Sequence, residues 1–267
     1  MPFAEIAETS LFYEDTGSAS TGETIVFSHG LLWGTELFAP QVAALRDRYR
    51  CVAWDHRGQG RSGPEWRNCI DMELLAQDAS ALLDHLRIKR ACFVGLSMGG
   101  FVGMRVAARR PDLVSRLILI ETTIEREPAE NVRRYRLLNA IFRRLGPRLV
   151  AGQVGKVMLG KTVLGDPNRK AEVEGWIKLM TRRRDVWRAV NGVIDRAPMA
   201  PDELAKIRVP TLVVVGDEDL ATPRAKAERM TAAIAGARLE FVPRAGHSST
   251  VEEPASVTRI IEAFLAS

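Results

Sequence analysis

The chain is poor in histidine and cysteine, with four of the first and three of the second among 267 residues. Neither set shows metal-ligand spacing, so no metal is expected. Cysteines scattered at 51, 69 and 92 give no disulfide framework and suit a reducing compartment. Cys51 and Cys92 fall in apolar runs, where a thiol packs as a small apolar group. There is no G-x-G-x-x-G fingerprint and no P-loop, so no dinucleotide or other cofactor is expected. No apolar run approaches the ~20 residues of a membrane span. The first fifteen residues already carry Glu5, Glu8, Glu14 and Asp15, which does not fit a signal peptide. A cytoplasmic chain without membrane contact is the expectation. Basic residues are not interleaved with aromatics, and no reading motif for nucleic acid is present. Internal repeats and low-complexity tracts are also lacking.

What is present is a chain with 46% apolar residues, enough for a substantial core. Short apolar runs at 24–27, 51–54, 91–94, 117–120, 211–215 and 238–242 read as strands. Helical patterns lie between several of them. That alternation predicts an α/β fold with one mostly parallel sheet covered on both faces. The opening stretch, 5–17, reads as two antiparallel strands. After Glu121 the alternation stops, and no strand is expected from 123 to 205. Apolar spacing in 135–145, 150–158 and 173–180 fits helices. Gly146-Pro147, Gly165-Asp166-Pro167 and Ala197-Pro198-Met199-Ala200-Pro201 punctuate them. The expected division is a core of 1–122 and 206–267 with a helical cap at 123–205.

Ser97 stands in Gly95-Leu96-Ser97-Met98-Gly99, between the strand at 91–94 and a helical pattern. This is the strand-turn-helix context of a nucleophile elbow. A serine on so sharp a turn needs neighbours without a Cβ. It also needs a base, and the base an orienting acid. His29 and His56 follow early strands, and His85 lies in a helical pattern. His247, in Gly246-His247 after the strand at 238–242, is the candidate base. The acid is sought after a strand between Ser97 and His247. Asp219, in Gly216-Asp217-Glu218-Asp219, is preferred. Asp217 and Glu121 remain alternatives.

Together these pieces resemble the α/β-hydrolase family. They are the His29-Gly30 loop, Asp55-x-Arg57-Gly58-x-Gly60-x-Ser62, Gly95-x-Ser97-x-Gly99-Gly100, Gly216-x-x-Asp219-x-x-Thr222-Pro223 and Gly246-His247. The order Ser, Asp, His is the family's order, and the likeness covers essentially the whole chain. Within the family the chain is similar to the carboxylesterase, enol-lactonase and perhydrolase branch. The resemblance implies catalytic Ser97, Asp219 and His247, and an oxyanion hole from the backbone N–H groups of Leu31 and Met98. It assigns His29, Asp55, Arg57 and Ser62 to loop support. It implies a serine hydrolase of small esters or lactones working through an acyl-enzyme. Perhydrolysis, carbon–carbon bond hydrolysis and a ligand receptor with little turnover are the alternatives. Asp55-His56-Arg57-Gly58 differs from the loop expected of such receptors.

Charge is uneven along the chain. Residues 125–200 hold seventeen Lys and Arg against eight Asp and Glu, leaving the remainder near −4. A basic cap would attract an anionic ester or lactone, although Arg182-Arg183-Arg184 and most others fit solvated helix faces. Trp33, Trp176 and Trp187 are candidate pocket residues.

Overall fold

Six of the β-branched and aliphatic runs form a parallel ladder, and the two opening segments extend it. The computed structural model describes residues 2–6, 8–182 and 185–267. The strands are β1 (Phe3–Ile6), β2 (Thr9–Asp15), β3 (Thr24–Ser28), β4 (Arg50–Trp54), β5 (Ala91–Leu96), β6 (Val114–Ile120), β7 (Thr211–Gly216) and β8 (Arg238–Val242). They make one sheet in the order β1-β2-β4-β3-β5-β6-β7-β8. β2 is antiparallel to both β1 and β4, and β3 to β8 run parallel.

Alternate side chains divide between two apolar layers, as the pleat requires. Val26 joins one, and Ile25 and Phe27 join the other. The first layer is closed by α2 (Met72–His85) and α3 (Met98–Arg109), through residues such as Leu75, Leu82, Val102 and Val106. The second is closed by Leu45 of α1 (Ala39–Leu45) and by Val257, Ile261 and Phe264 of the C-terminal helix Pro254–Leu265. Burying each large aliphatic or aromatic side chain stabilises the fold by roughly 1.5–3 kcal/mol. All three cysteines are unpaired.

Strand order positions the site. From β3 the chain steps outward to β4, then returns to β5 on the other side of β3. Loops leaving β3 and β5 therefore diverge at their carboxyl ends. Ligands of open α/β sheets bind in the crevice at such a switch point. Close approach there depends on Gly99, because a Cβ on it would collide with the carbonyl of Ser28. Gly95 has the same role against the backbone of Gly99.

Between β6 and β7 the described residues contain helices and no strand. These helices are α4 (Ala129–Leu145), α5 (Ala151–Met158), α6 (Lys161–Gly165), α7 (Lys170–Met180), α8 (Trp187–Ile194) and α9 (Pro201–Leu204). Gly146 ends α4 with φ 98°, a conformation that suits a residue without a side chain. Asp166 caps the next turn by accepting from the N–H of Asn168 at 2.9 Å. After β7 come α10 (Arg224–Ala233), α11 (Ser249–Glu252) and the C-terminal helix, α12. No described helix is long and apolar enough to cross a membrane.

Candidate active site

Ser97 is the residue between β5 and α3, at φ 51° and ψ −111°. Such a backbone persists only where its surroundings over-determine it. Here the Ser97 N–H donates to the Ile120 carbonyl at 2.8 Å. Its carbonyl accepts from Thr122 Oγ1 at 2.9 Å and from the N–H groups of Gly100 and Phe101. The elbow is thus pinned by β6 on one side and α3 on the other.

His247 reaches the same point from the loop after β8. Its Nε2 lies 2.8 Å from Ser97 Oγ, and its Nδ1 lies 2.9 Å from Asp219 Oδ2. All three side chains are nearly buried. Asp219 Oδ1 accepts from the N–H groups of Ala221 and Thr222 at 2.7 and 3.0 Å. Oδ2 also accepts from Thr222 Oγ1 at 2.6 Å. Burial works to raise the Asp219 carboxyl. The adjacent His247 charge and the hydrogen bonds from His247, Glu121 and Thr222 outweigh it, holding the group below the ordinary carboxylate range.

Glu121 brings a second carboxyl to this cluster. It is fully buried at the end of β6, and both its oxygens lie 3.0 Å from the Gly216 N–H. Carboxylate oxygens of Glu121 and Asp219 and a ring nitrogen of His247 all fall within 4.8 Å of one another. Burial first, and then the Asp219 charge, push Glu121 well above its usual value. The two carboxyls are thus pushed apart, Glu121 towards keeping its proton and Asp219 towards ionisation. Asp217 is exposed.

Behind the site, Glu252 joins the loop that carries His247 to the helices. One of its oxygens accepts from the N–H groups of Gly160 and Gly246 at 2.7 and 3.1 Å, and the other from that of Ser248 at 3.0 Å. Glu218, next to Asp219, accepts from the N–H and Oγ1 of Thr162 at 2.8 and 2.6 Å.

The loop after β3 brings Leu31 beside Ser97. Among the described residues, no hydrogen bond engages the N–H of Leu31 or of Met98. Gln59 ties the two segments together. Its Oε1 accepts from the Leu32 N–H at 3.1 Å, and its Nε2 lies 3.5 Å from Met98 Sδ. Supporting groups fill the space beneath. His29 donates from Nδ1 to the Gly30 carbonyl at 2.7 Å and accepts at Nε2 from the His56 N–H at 2.9 Å. Burial lowers both imidazoles, His56 the further, so both are neutral. Asp55 Oδ1 accepts from the Thr35 N–H at 2.7 Å, and Oδ2 from the Arg61 N–H at 2.7 Å. Arg57 binds both Asp78 oxygens at 2.6 Å and Glu65 at 2.8 Å. Ser62 accepts from the Phe12 N–H at 2.9 Å and donates to the Asp55 carbonyl. His85 is exposed.

A cavity of about 160 Å³ opens over Ser97 and His247. Its wall is mainly aliphatic, supplied by the loop after β3 and by α4, α5 and α8. The three tryptophans expected there lie elsewhere. Trp33 is packed in the second apolar layer with 1% exposure. Trp187 lies against the guanidinium groups of Arg143 and Arg188, at 4.1 and 4.5 Å. Trp176 lies against Arg169 at 5.2 Å. Each ring has found a partner that covers its large apolar face, leaving smaller side chains to line the void. Gln59, Thr122, Glu252 and the cavity residues on α4 and α5 were not singled out from the sequence. Gln59 lay inside a motif already noted, whereas Glu252 had no distinguishing signal. Arg182 is exposed and pairs with Glu36 at 3.1 Å, while Arg183 and Arg184 lie outside the described residues.

A model of the alpha/beta hydrolase family matches residues 25–260. The putative carbamate hydrolase RutD of Rhizobium rhizogenes is 28% identical over 246 residues, covering 91% of this chain and 92% of that protein. The enol-lactonase of Burkholderia xenovorans LB400 superposes with a TM-score of 0.89 at 30% identity, covering both chains fully. A thermophilic esterase from Thermogutta terrifontis, solved with malate bound, gives 0.89 at 27% identity, covering 99% of this chain and 98% of that one.

Proposed function

The chain belongs to the alpha/beta hydrolase family, and from that footing we propose that it cleaves small carboxylic esters or lactones through an acyl-enzyme on Ser97. The observation that carries this reading is the continuous contact from Ser97 Oγ through the His247 imidazole to Asp219, at 2.8 and 2.9 Å. His247 Nε2 takes the Ser97 proton as Oγ attacks the carbonyl carbon. The oxyanion is received by the N–H groups of Leu31 and Met98, the second at the start of α3, where the helix favours negative charge. His247 then gives its proton to the leaving alkoxide, and the ester C–O bond breaks. Water repeats the sequence on the acyl-enzyme, with His247 again as base. Asp219 holds the Nδ1–H tautomer and balances the imidazolium. In this reading, residues 123–205 form a cap on a core of 1–122 and 206–267, keeping bulk water from the acyl-enzyme.

Turnover of p-nitrophenyl acetate and butyrate, with fluorophosphonate labelling of Ser97, tests the proposal. A folded protein that hydrolyses neither ester and labels elsewhere would refute it. The relatives named as carbamate hydrolases favour a second reading in which the same serine attacks a carbamate carbonyl. Ammonia release from a small carbamate, set against ester turnover, decides between them. The apolar cavity supports the ester, because a small polar carbamate would leave its wall without a partner.

A further inference from the structure

The cavity holds an ion pair that the reaction above does not use. Arg196 Nη1 lies 3.0 Å from Glu127 Oε2, and the two side chains are 3% and 8% exposed. Both residues line the cavity. The Arg196 guanidinium sits 4.6 Å from the centre of the Phe101 ring, four residues beyond Ser97 on α3. Its Nε donates to the Glu125 carbonyl at 3.0 Å, and Nη1 also donates to that of Val193 at 2.8 Å. Nη2 has no hydrogen-bond acceptor among the described residues. Nη2 retains solvent contact, so its donors are available to a group that enters the cavity Arg196 lines.

The charge balance narrows what that something is. Glu127 Oε1 accepts from Asn131 Nδ2 at 2.9 Å, and its other oxygen faces Arg196. Arg196 is the only Lys or Arg among the cavity's lining residues, and Glu127 the only carboxylate. The pair is electrically closed, with Asp219 a further negative charge behind His247. An incoming carboxylate would be desolvated against a cation already shared with Glu127, and repelled by Glu127 itself. A neutral carbonyl oxygen would accept from Nη2 without disturbing the pair. The arginines of α4 at 133, 134, 136, 143 and 144 are exposed and face away from this lining.

We propose, on the reading that Ser97 is the nucleophile, that the Arg196–Glu127 pair is a specificity site for an uncharged carbonyl oxygen carried on the apolar arm of the substrate. Carboxylate-ended arms are rejected.

The test uses p-nitrophenyl esters of three acids that place different groups at the same carbon: 5-oxohexanoate, hexanoate and hydrogen glutarate. The expected kcat/KM order is ketone, then alkyl, then carboxylate, with a step of about tenfold between neighbours. The same three ends placed on the alcohol of acetate esters cover the opposite orientation, and the order must appear in at least one series. Arg196→Met removes the ketone advantage and leaves the alkyl ester within about threefold. That variant leaves a buried carboxylate alone, so the double variant Arg196→Met, Glu127→Met provides the same readout with both charges gone. A preference for the carboxylate, or a ketone advantage that survives the double variant, would overturn the proposal. So would equal rates for ketone and alkyl in both series. If no ester is turned over, the Ser97 reading fails first. Calorimetric binding of the corresponding methyl esters to Ser97→Ala still tests the site by the same order, and equal affinities would sink it.

Discussion

The sheet edge and the helical segment above it build their halves of the site by different rules. At the edge, the Asp219 carboxylate and the Ser97 turn are fixed by hydrogen bonds a few residues from a strand end, and His247 is held between their side chains. Asp219 is held by Ala221 and Thr222, and the Ser97 backbone by Ile120 and Thr122. The helical segment offers an apolar concavity formed by side chains from three helices, with the arginines of α4 turned outward and Arg196 alone among lysines and arginines in the lining. Chemistry is therefore placed by short-range turn geometry and selectivity by the packing of an amphipathic layer. The first is robust to changes in the second, and that separation can be attacked experimentally.

The largest effect is expected at the edge. Ser97→Ala abolishes ester hydrolysis with the thermal midpoint preserved, and wild-type turnover by this variant would remove the nucleophile assignment. Asp219→Asn follows, lowering kcat on the order of 10⁴-fold by analogy with serine protease triads. If Glu121→Gln causes that loss and Asp219→Asn does not, the two carboxyls have been given each other's roles.

An intermediate effect is expected above the edge. Val154→Trp and Val157→Trp, which fill the cavity, reduce hexanoate ester kcat/KM by about 10–100-fold while acetate stays within a few-fold. Equal losses on both esters would show that the two regions are not separable.

A stability measurement sharpens the comparison further. Burial holds the Glu121 proton to higher pH in the fold, whereas the unfolded chain ionises the group above about pH 4.3. Folding must then take up a proton, so stability falls as pH rises from there towards the folded-state value. The cost is about 1.4 kcal/mol for each pH unit in that window. Glu121→Gln keeps the shape and avoids the proton uptake. Its thermal midpoint should match wild type near pH 4 and exceed it increasingly as pH rises from there towards the folded-state value of Glu121. A difference that does not grow with pH would show that Glu121 is ionised in the fold. The smallest change is expected outside: Arg143→Ser with Arg144→Ser shifts kcat/KM for neutral esters less than twofold, measured at low and high salt.

This division also explains what could be read in the chain. Ser97, Asp219 and His247 lie in short motifs whose glycines and turn residues declare a strand end, so order and spacing were enough to nominate them. The six core strands were legible for the same reason. Trp33 was nominated for standing beside the loop of Leu31, and Trp176 and Trp187 for lying on helical patterns of the 123–205 segment, but such positions do not say which neighbour a ring will meet. Arg196 was one of seventeen basic residues in its segment and had no local feature to distinguish it. Its burial against Phe101 of α3 and residues 125–127 comes from long-range packing, which a pattern within one element cannot encode.

The Glu252 carboxylate sets a limit on how the mouth of this enzyme can widen. The same group grips the turn before α6 and the loop that carries the imidazole. A rigid swing of the whole roof would drag on that grip and pull His247 away from Ser97 and Asp219.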